Sequence, residues 1–102
     1  MNNMKVKQSV HYNGKVIKLP FLIVKETLNT EMETVTNPFS GQSIAMPKFA
    51  VAIYDTIMGS QQIASNYDQT HGDGSSPLWK TVRKGLDWFR KYFAKEYMVL
   101  LD

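Results

Sequence analysis

Cysteine is absent from this 102-residue chain, which excludes disulfides, thiolate nucleophiles and thiolate-bound zinc or iron–sulfur centres. A reducing, intracellular setting is the expectation that fits. Histidine is scarce: His11 and His71 are the only two, and neither stands in a recognisable nucleophile context. No glycine pattern has the setting of a phosphate-binding loop, because Gly72-Asp73-Gly74 follows polar residues instead of a buried strand. Long apolar runs are lacking too. Phe21–Val24 and Met98–Leu101 fall far short of the roughly 20 residues that span a bilayer. No apolar stretch follows Lys5 and Lys7, so the start does not read as a secretory signal. Internal repeats and low-complexity tracts are also missing. These gaps leave no catalytic residue, cofactor or metal to expect.

What is there begins with charge. The net charge of +3 is unevenly spread. Residues 1–25 hold five lysines and no acid. Residues 26–79 hold Glu26, Glu31, Glu33, Asp55, Asp68 and Asp73 against Lys48 alone, a balance of −5. Residues 80–102 set six bases against three acids, +3 again. Either both basic ends fold over the acidic middle, or they share one surface that recruits a polyanion.

A chain of this length builds one domain, 1–102, mainly β or irregular over 1–46 and mainly helical over 47–102. Val10–Tyr12 and Val16–Leu19 flank Asn13-Gly14, which tolerates the positive φ of a type I′ hairpin turn. Pro20 interrupts the second strand, and Phe21–Lys25 reads as a further strand or an apolar entry to a helix. A second hairpin is expected where Glu33–Thr36 and Gln42–Ala45 bracket Asn37–Gly41, with Phe39 folding back onto the sheet.

Pro47 opens a helix to about Ser65. Phe49, Ile53, Ile57 and Ala64 line one face, and Ala50, Val51, Tyr54 and Met58 widen the apolar arc past half the circumference. Such a helix is buried on more than one side, with Ala52 and Gly59 as places of close approach. Residues 66–75 read as a polar surface loop. Asp68, His71 and Asp73, joined by Asp55, have metal-competent chemistry, but their spacing matches no established cation loop and suits a helix connector equally. Glu31 and Glu33 share a strand face and read as a solvated acidic edge.

The second helix runs from Ser76 to Lys95, with Ser76 as cap and Pro77 at the first position. At about 100° per residue, Leu78, Trp79, Val82, Leu86, Phe89 and Phe93 form an apolar arc. Lys80, Arg83, Lys84, Arg90, Lys91 and Lys95 fall opposite, with Asp87 among them. Trp88 sits on the boundary with Tyr92 beside it. The candidate partner-facing residues are therefore Lys84, Trp88, Arg90, Lys91, Tyr92 and Lys95. An exposed Trp88 would stack on a base or insert among lipid headgroups; the alternative is that Trp88 and Tyr92 widen the apolar face against the hairpins. Tyr97–Leu101 is too apolar for a loose tail and docks as a short strand or final helical turn.

Four segments taken as a set carry a resemblance. They are Thr36-Asn37-Pro38-Phe39-Ser40-Gly41, Ala50–Asp55, Arg83–Phe89 and the ending Glu96–Asp102. Over about residues 33–102 the chain resembles small uncharacterised proteins encoded by tailed bacteriophages, including marine ones. That group offers no activity or catalytic residue to carry over. The resemblance implies an accessory factor acting inside an infected bacterium.

The fold expected is α+β, antiparallel hairpins beside two helices. The function expected is a non-enzymatic phage accessory protein in the host bacterial cytoplasm, working by protein–protein contact or homo-oligomerisation. The alternative is nucleic-acid binding through the basic face of the 76–95 helix. Lysines from both chain ends brought together would favour a polyanion; an exposed apolar patch would favour a protein.

Overall fold

The computed structural model describes residues 8–101, so Lys5 and Lys7 lie outside the described residues. The fold is α+β: two antiparallel hairpins followed by three helices. Strands β1 (Ser9–Tyr12) and β2 (Lys15–Lys18) pair in one two-stranded sheet. Asn13 and Gly14 take φ of 52° and 76°, the left-handed pair that a type I′ turn demands. The register sets Val10 opposite Ile17, and both are buried. Leu19 extends this ladder, its N–H donating to Gln8 O at 3.0 Å.

The segment Phe21–Lys25 forms no further strand. Ile23 is held by the Gln8 side chain, which accepts its N–H at 2.7 Å and donates Nε2–H to its carbonyl at 3.0 Å. A 3-10 turn over Lys25–Thr27 then closes the segment. Strands β3 (Met32–Thr36) and β4 (Ser43–Pro47) make the second sheet. Their turn is organised by Asn37, whose Oδ1 accepts the Phe39 and Ser40 N–H groups while its Nδ2 donates to Val99 O. That arrangement lifts Phe39 to the apex, 92% exposed, so it does not fold back onto the sheet.

Helix α1 (Lys48–His71) is longer than the 47–65 expected. Polar residues do not end a helix once it is nucleated, since each added residue gains a backbone bond. Here the added turns also gain local contacts: the Tyr67 and His71 rings stack at 3.8 Å. The stop comes at Gly72, whose φ of 104° suits only glycine well and whose N–H bonds Asp68 O. The loop expected over 66–75 therefore shrinks to the residues after His71.

Helix α2 (Leu78–Tyr92) and helix α3 (Ala94–Leu100) replace the single 76–95 helix. Phe93 breaks them apart with φ −138° and ψ 56°, and its ring is buried in an aromatic cluster. The apolar C-terminus docks as α3. Pro77 takes the N-cap position of α2 in place of the expected Ser76, and the Ser76 Oγ one residue earlier accepts the Leu78 N–H at 3.2 Å.

The broad apolar arc of α1 is buried: Phe49, Ala50, Val51, Ile53, Tyr54, Ile57 and Ala64 are all core residues. An aromatic cluster of Tyr12, Phe49, Trp88, Phe89 and Phe93 joins hairpin, α1 and α2 through edge and tilted contacts. Burying each such ring contributes about 1.5–3 kcal/mol. Close approach of α1 and α2 occurs at Gly85, where a Cβ would overlap Ile57 and lie 2.6 Å from its Cδ1. Gly59, the expected place, is exposed with open space beside it. No helix among the described residues is long and apolar enough to cross a membrane.

Candidate partner-binding surface

Of the six residues expected to face a partner, Lys84, Trp88, Lys91 and Tyr92 line one shallow groove, and Arg90 and Lys95 stand apart from it. Trp88 is only 5% exposed, and its indole N–H donates to Lys18 O at 2.8 Å. It closes α2 onto the first hairpin and is not available to stack on a base. Tyr92 is half-buried against Trp88, with Lys91 Nζ 5.2 Å from its ring centre. Arg90 is engaged within the chain. Its Nη2 meets Asp87 Oδ1 at 2.5 Å, its Nη1 donates to the Tyr97 hydroxyl, and its guanidinium lies over the Tyr97 ring. The Asp87 hydrogen bond, reinforced by Tyr97, holds the Arg90 pKa above its ordinary value. Lys95 belongs to α3 and is carried off the α2 face by the break at Phe93. Lys84 and Lys91 remain exposed on α2.

Lys84 gains a companion that the sequence did not assign to it. Lys18 and Lys84 line one cleft of about 330 Å³ together with Gln8, Leu19, Pro20 and Leu22. Pro20 and Lys84 continue into a shallow groove with Asp87, Lys91 and Tyr92. Lysines from both halves of the chain thus converge at the Pro20 segment.

On its other side the same segment borders a cleft of opposite character. Leu22, Val24, Thr27, Glu33, Lys48, Val51, Asp55 and Thr56 are among the residues around a space of about 360 Å³. Lys48 Nζ is taken by Glu31 at 3.0 Å, an ion pair that raises the lysine pKa. Glu33 and Asp55 form no ion pair among the described residues. Partial burial, and next the charge of Glu33, push the Asp55 carboxyl above its ordinary value. The cleft therefore has a net deficit of positive charge.

Between the clefts stands an apolar ridge. Leu22 is 63% and Val24 66% exposed. The Leu22 N–H and C=O and the Val24 N–H have no hydrogen-bond partner among the described residues. Gln8 takes up both peptide groups of Ile23, the residue between them. Sequence reasoning missed this ridge. Its signal was the apolar run Phe21–Val24 following a proline, with no polar alternation to bury half of it.

The residues of the expected metal-like cluster have other duties. The Asp68 carboxylate accepts the Gly74 N–H and the Trp79 indole N–H at 2.7 Å each, and the Ser76 N–H at 3.0 Å. His71 stacks on Tyr67, and Asp55 lines the cleft described above. No three metal-ligating side chains gather among the described residues. Glu31 precedes β3 and pairs with Lys48, and Glu33 on β3 stands at the same cleft, where its charge also raises the Lys48 pKa. Compared with protein-family models, curated proteins and solved structures, the chain matches none.

Proposed function

We propose that the protein acts without catalysis, as a phage accessory protein in the host bacterial cytoplasm that binds another protein through the ridge at Leu22 and Val24. The observation that carries this reading is the exposure of both side chains on a backbone stretch where the Leu22 N–H and C=O and the Val24 N–H have no partner among the described residues. Apolar exposure rimmed by charge is the usual composition of a protein-binding surface, and an open edge adds directional hydrogen bonds.

A nuclease-treated pulldown from infected cells tests it. A partner captured by the native chain should survive nuclease and be lost with Leu22→Glu or Val24→Glu. Capture that disappears with nuclease and is insensitive to Leu22 would overturn it.

Nucleic-acid binding is the second reading, and the convergence of Lys18 with Lys84 is what favours it. It requires affinity that falls steeply with salt and is lost in Lys18→Glu and Lys84→Glu. With Trp88 buried, base stacking no longer supports that reading.

A further inference from the structure

The ridge divides two clefts of opposite sign, and Leu22 lines both of them. Lys18 and Lys84 stand on one side, Glu33 and Asp55 on the other, and neither pair forms an ion pair within the chain among the described residues. A surface with plus and minus flanking an apolar centre is complementary to itself after a half-turn. We infer that the partner of this ridge is a second copy of the same chain, docked about a twofold axis through Leu22. The inference rests on the protein-contact reading above and names the occupant.

Three features of the surface fit one copy against another. A twofold axis across the ridge sets the lysine cleft of each protomer against the carboxylate cleft of its partner, so each favourable contact is made twice. Leu22 and Val24 then cover their counterparts and leave water. At the axis the Leu22 N–H and C=O can exchange hydrogen bonds with the same groups of the other copy, as in an antiparallel pair. Pro20 and Lys25 flank this short edge, and both limit further strand addition. The contact therefore closes as a pair and does not grow into a fibre.

Sedimentation of the full chain over a concentration series tests the inference through charge exchange. The native chain should form a dimer whose dissociation constant rises with salt. Asp55→Lys and Lys84→Glu should each weaken it at least about tenfold, because each sets like charges face to face twice. An equimolar mixture of the two variants should restore dimerisation, since each altered cleft now meets its opposite. Circular dichroism checks that both variants fold, and rescue on mixing is something an unfolded variant cannot give. A chain that stays monomeric up to about 1 mM, a concentration that weak dimers reach, overturns the inference. So does a dimer that the mixture fails to restore. If the chain is monomeric while nuclease-resistant capture still needs Leu22, self-pairing falls and the protein-contact reading stands. If the dimer rescues but no other protein is captured, self-pairing stands and the heterologous partner falls.

Discussion

Trp79 donates its indole N–H to Asp68 Oδ2 at 2.7 Å, tying the last turn of α1 to the first turn of α2. The same carboxylate takes the backbone N–H groups of Gly74 and Ser76. One side chain thus satisfies several donors that a sharp helix connection would otherwise leave to water. Asp68→Ala should lower the melting temperature and accelerate amide exchange at Gly74 and Ser76, while the exchange of β1 and β2 amides stays as in the native chain. An unchanged exchange rate at those two amides would remove Asp68 from this role.

Asp68 and Asp55 should leave opposite marks on the pH dependence of stability. Desolvation pushes the Asp68 carboxyl up, but the bonds from Gly74, Trp79, Ser76 and Ser75 together outweigh it and hold its pKa below the ordinary value. Its contribution is present above the unfolded pKa and is lost as pH falls through the lower folded one. Asp55 has a raised folded pKa, so its penalty is present above that value and fades as pH falls toward the unfolded one. Urea midpoints measured across about pH 2 to 8 should show Asp68→Asn less stable than the native chain near neutrality, its deficit closing in acid. Asp55→Asn should be equal or more stable near neutrality, with its advantage closing in acid.

Two glycines on neighbouring helices should respond in opposite directions. At Gly85 a methyl group meets the Ile57 side chain, and overpacking of this kind costs about 1–3 kcal/mol. At Gly59 a methyl group meets nothing, and alanine gains about 0.5–1 kcal/mol of helix propensity. Denaturant unfolding of Gly85→Ala and Gly59→Ala should therefore bracket the native chain. Ile57→Val should recover part of the Gly85→Ala loss, because it removes Cδ1, one of the two Ile57 atoms that the added methyl would overlap.

Trp88 carries both packing and a hydrogen bond. Trp88→Phe keeps a ring in the cluster but leaves the Lys18 carbonyl without its donor, a loss of about 1–3 kcal/mol. Trp88→Ala adds a cavity beside Phe49, Phe89 and Phe93, about 3–5 kcal/mol in total. Equilibrium unfolding checks the order native, Phe, Ala. A Trp88→Ala variant as stable as the native chain would contradict the burial described.

Much of the fold was readable along the chain where the chemistry is local. Asn13-Gly14 announced the first turn, Pro38 and Gly41 bracketed the second, and the apolar arc around Phe49, Ile53 and Ile57 marked the central helix. The errors fall where a distant contact decides. Phe93, on the apolar arc of a continuous helical pattern, is buried and yet ends α2 with φ −138° and ψ 56°. Asp68, read as a loop residue, is a helical acceptor because Trp79 and Ser76 return to it.

The candidate surface was less legible. Lys84 and Lys91 are exposed where helical spacing put them, but Trp88 is not, since no local pattern tells whether an indole at a face boundary meets solvent or a hairpin. Its acceptor, Lys18, lies 70 positions away. Leu22 and Val24 look in sequence like core residues, yet both are exposed, while the Gln8 side chain holds Ile23 between them.

The two hairpins, the Asn13-Gly14 turn, the start of the central helix and the uneven charge follow from the sequence alone, because these depend on residues within a few positions of one another. The tertiary structure decided which aromatic is buried, where the long helix stops, and that Lys18 meets Lys84 on one side of Leu22 while Glu33 and Asp55 gather on the other. Those outcomes depend on burial and on hydrogen bonds between distant segments, which cooperative packing of the whole core selects.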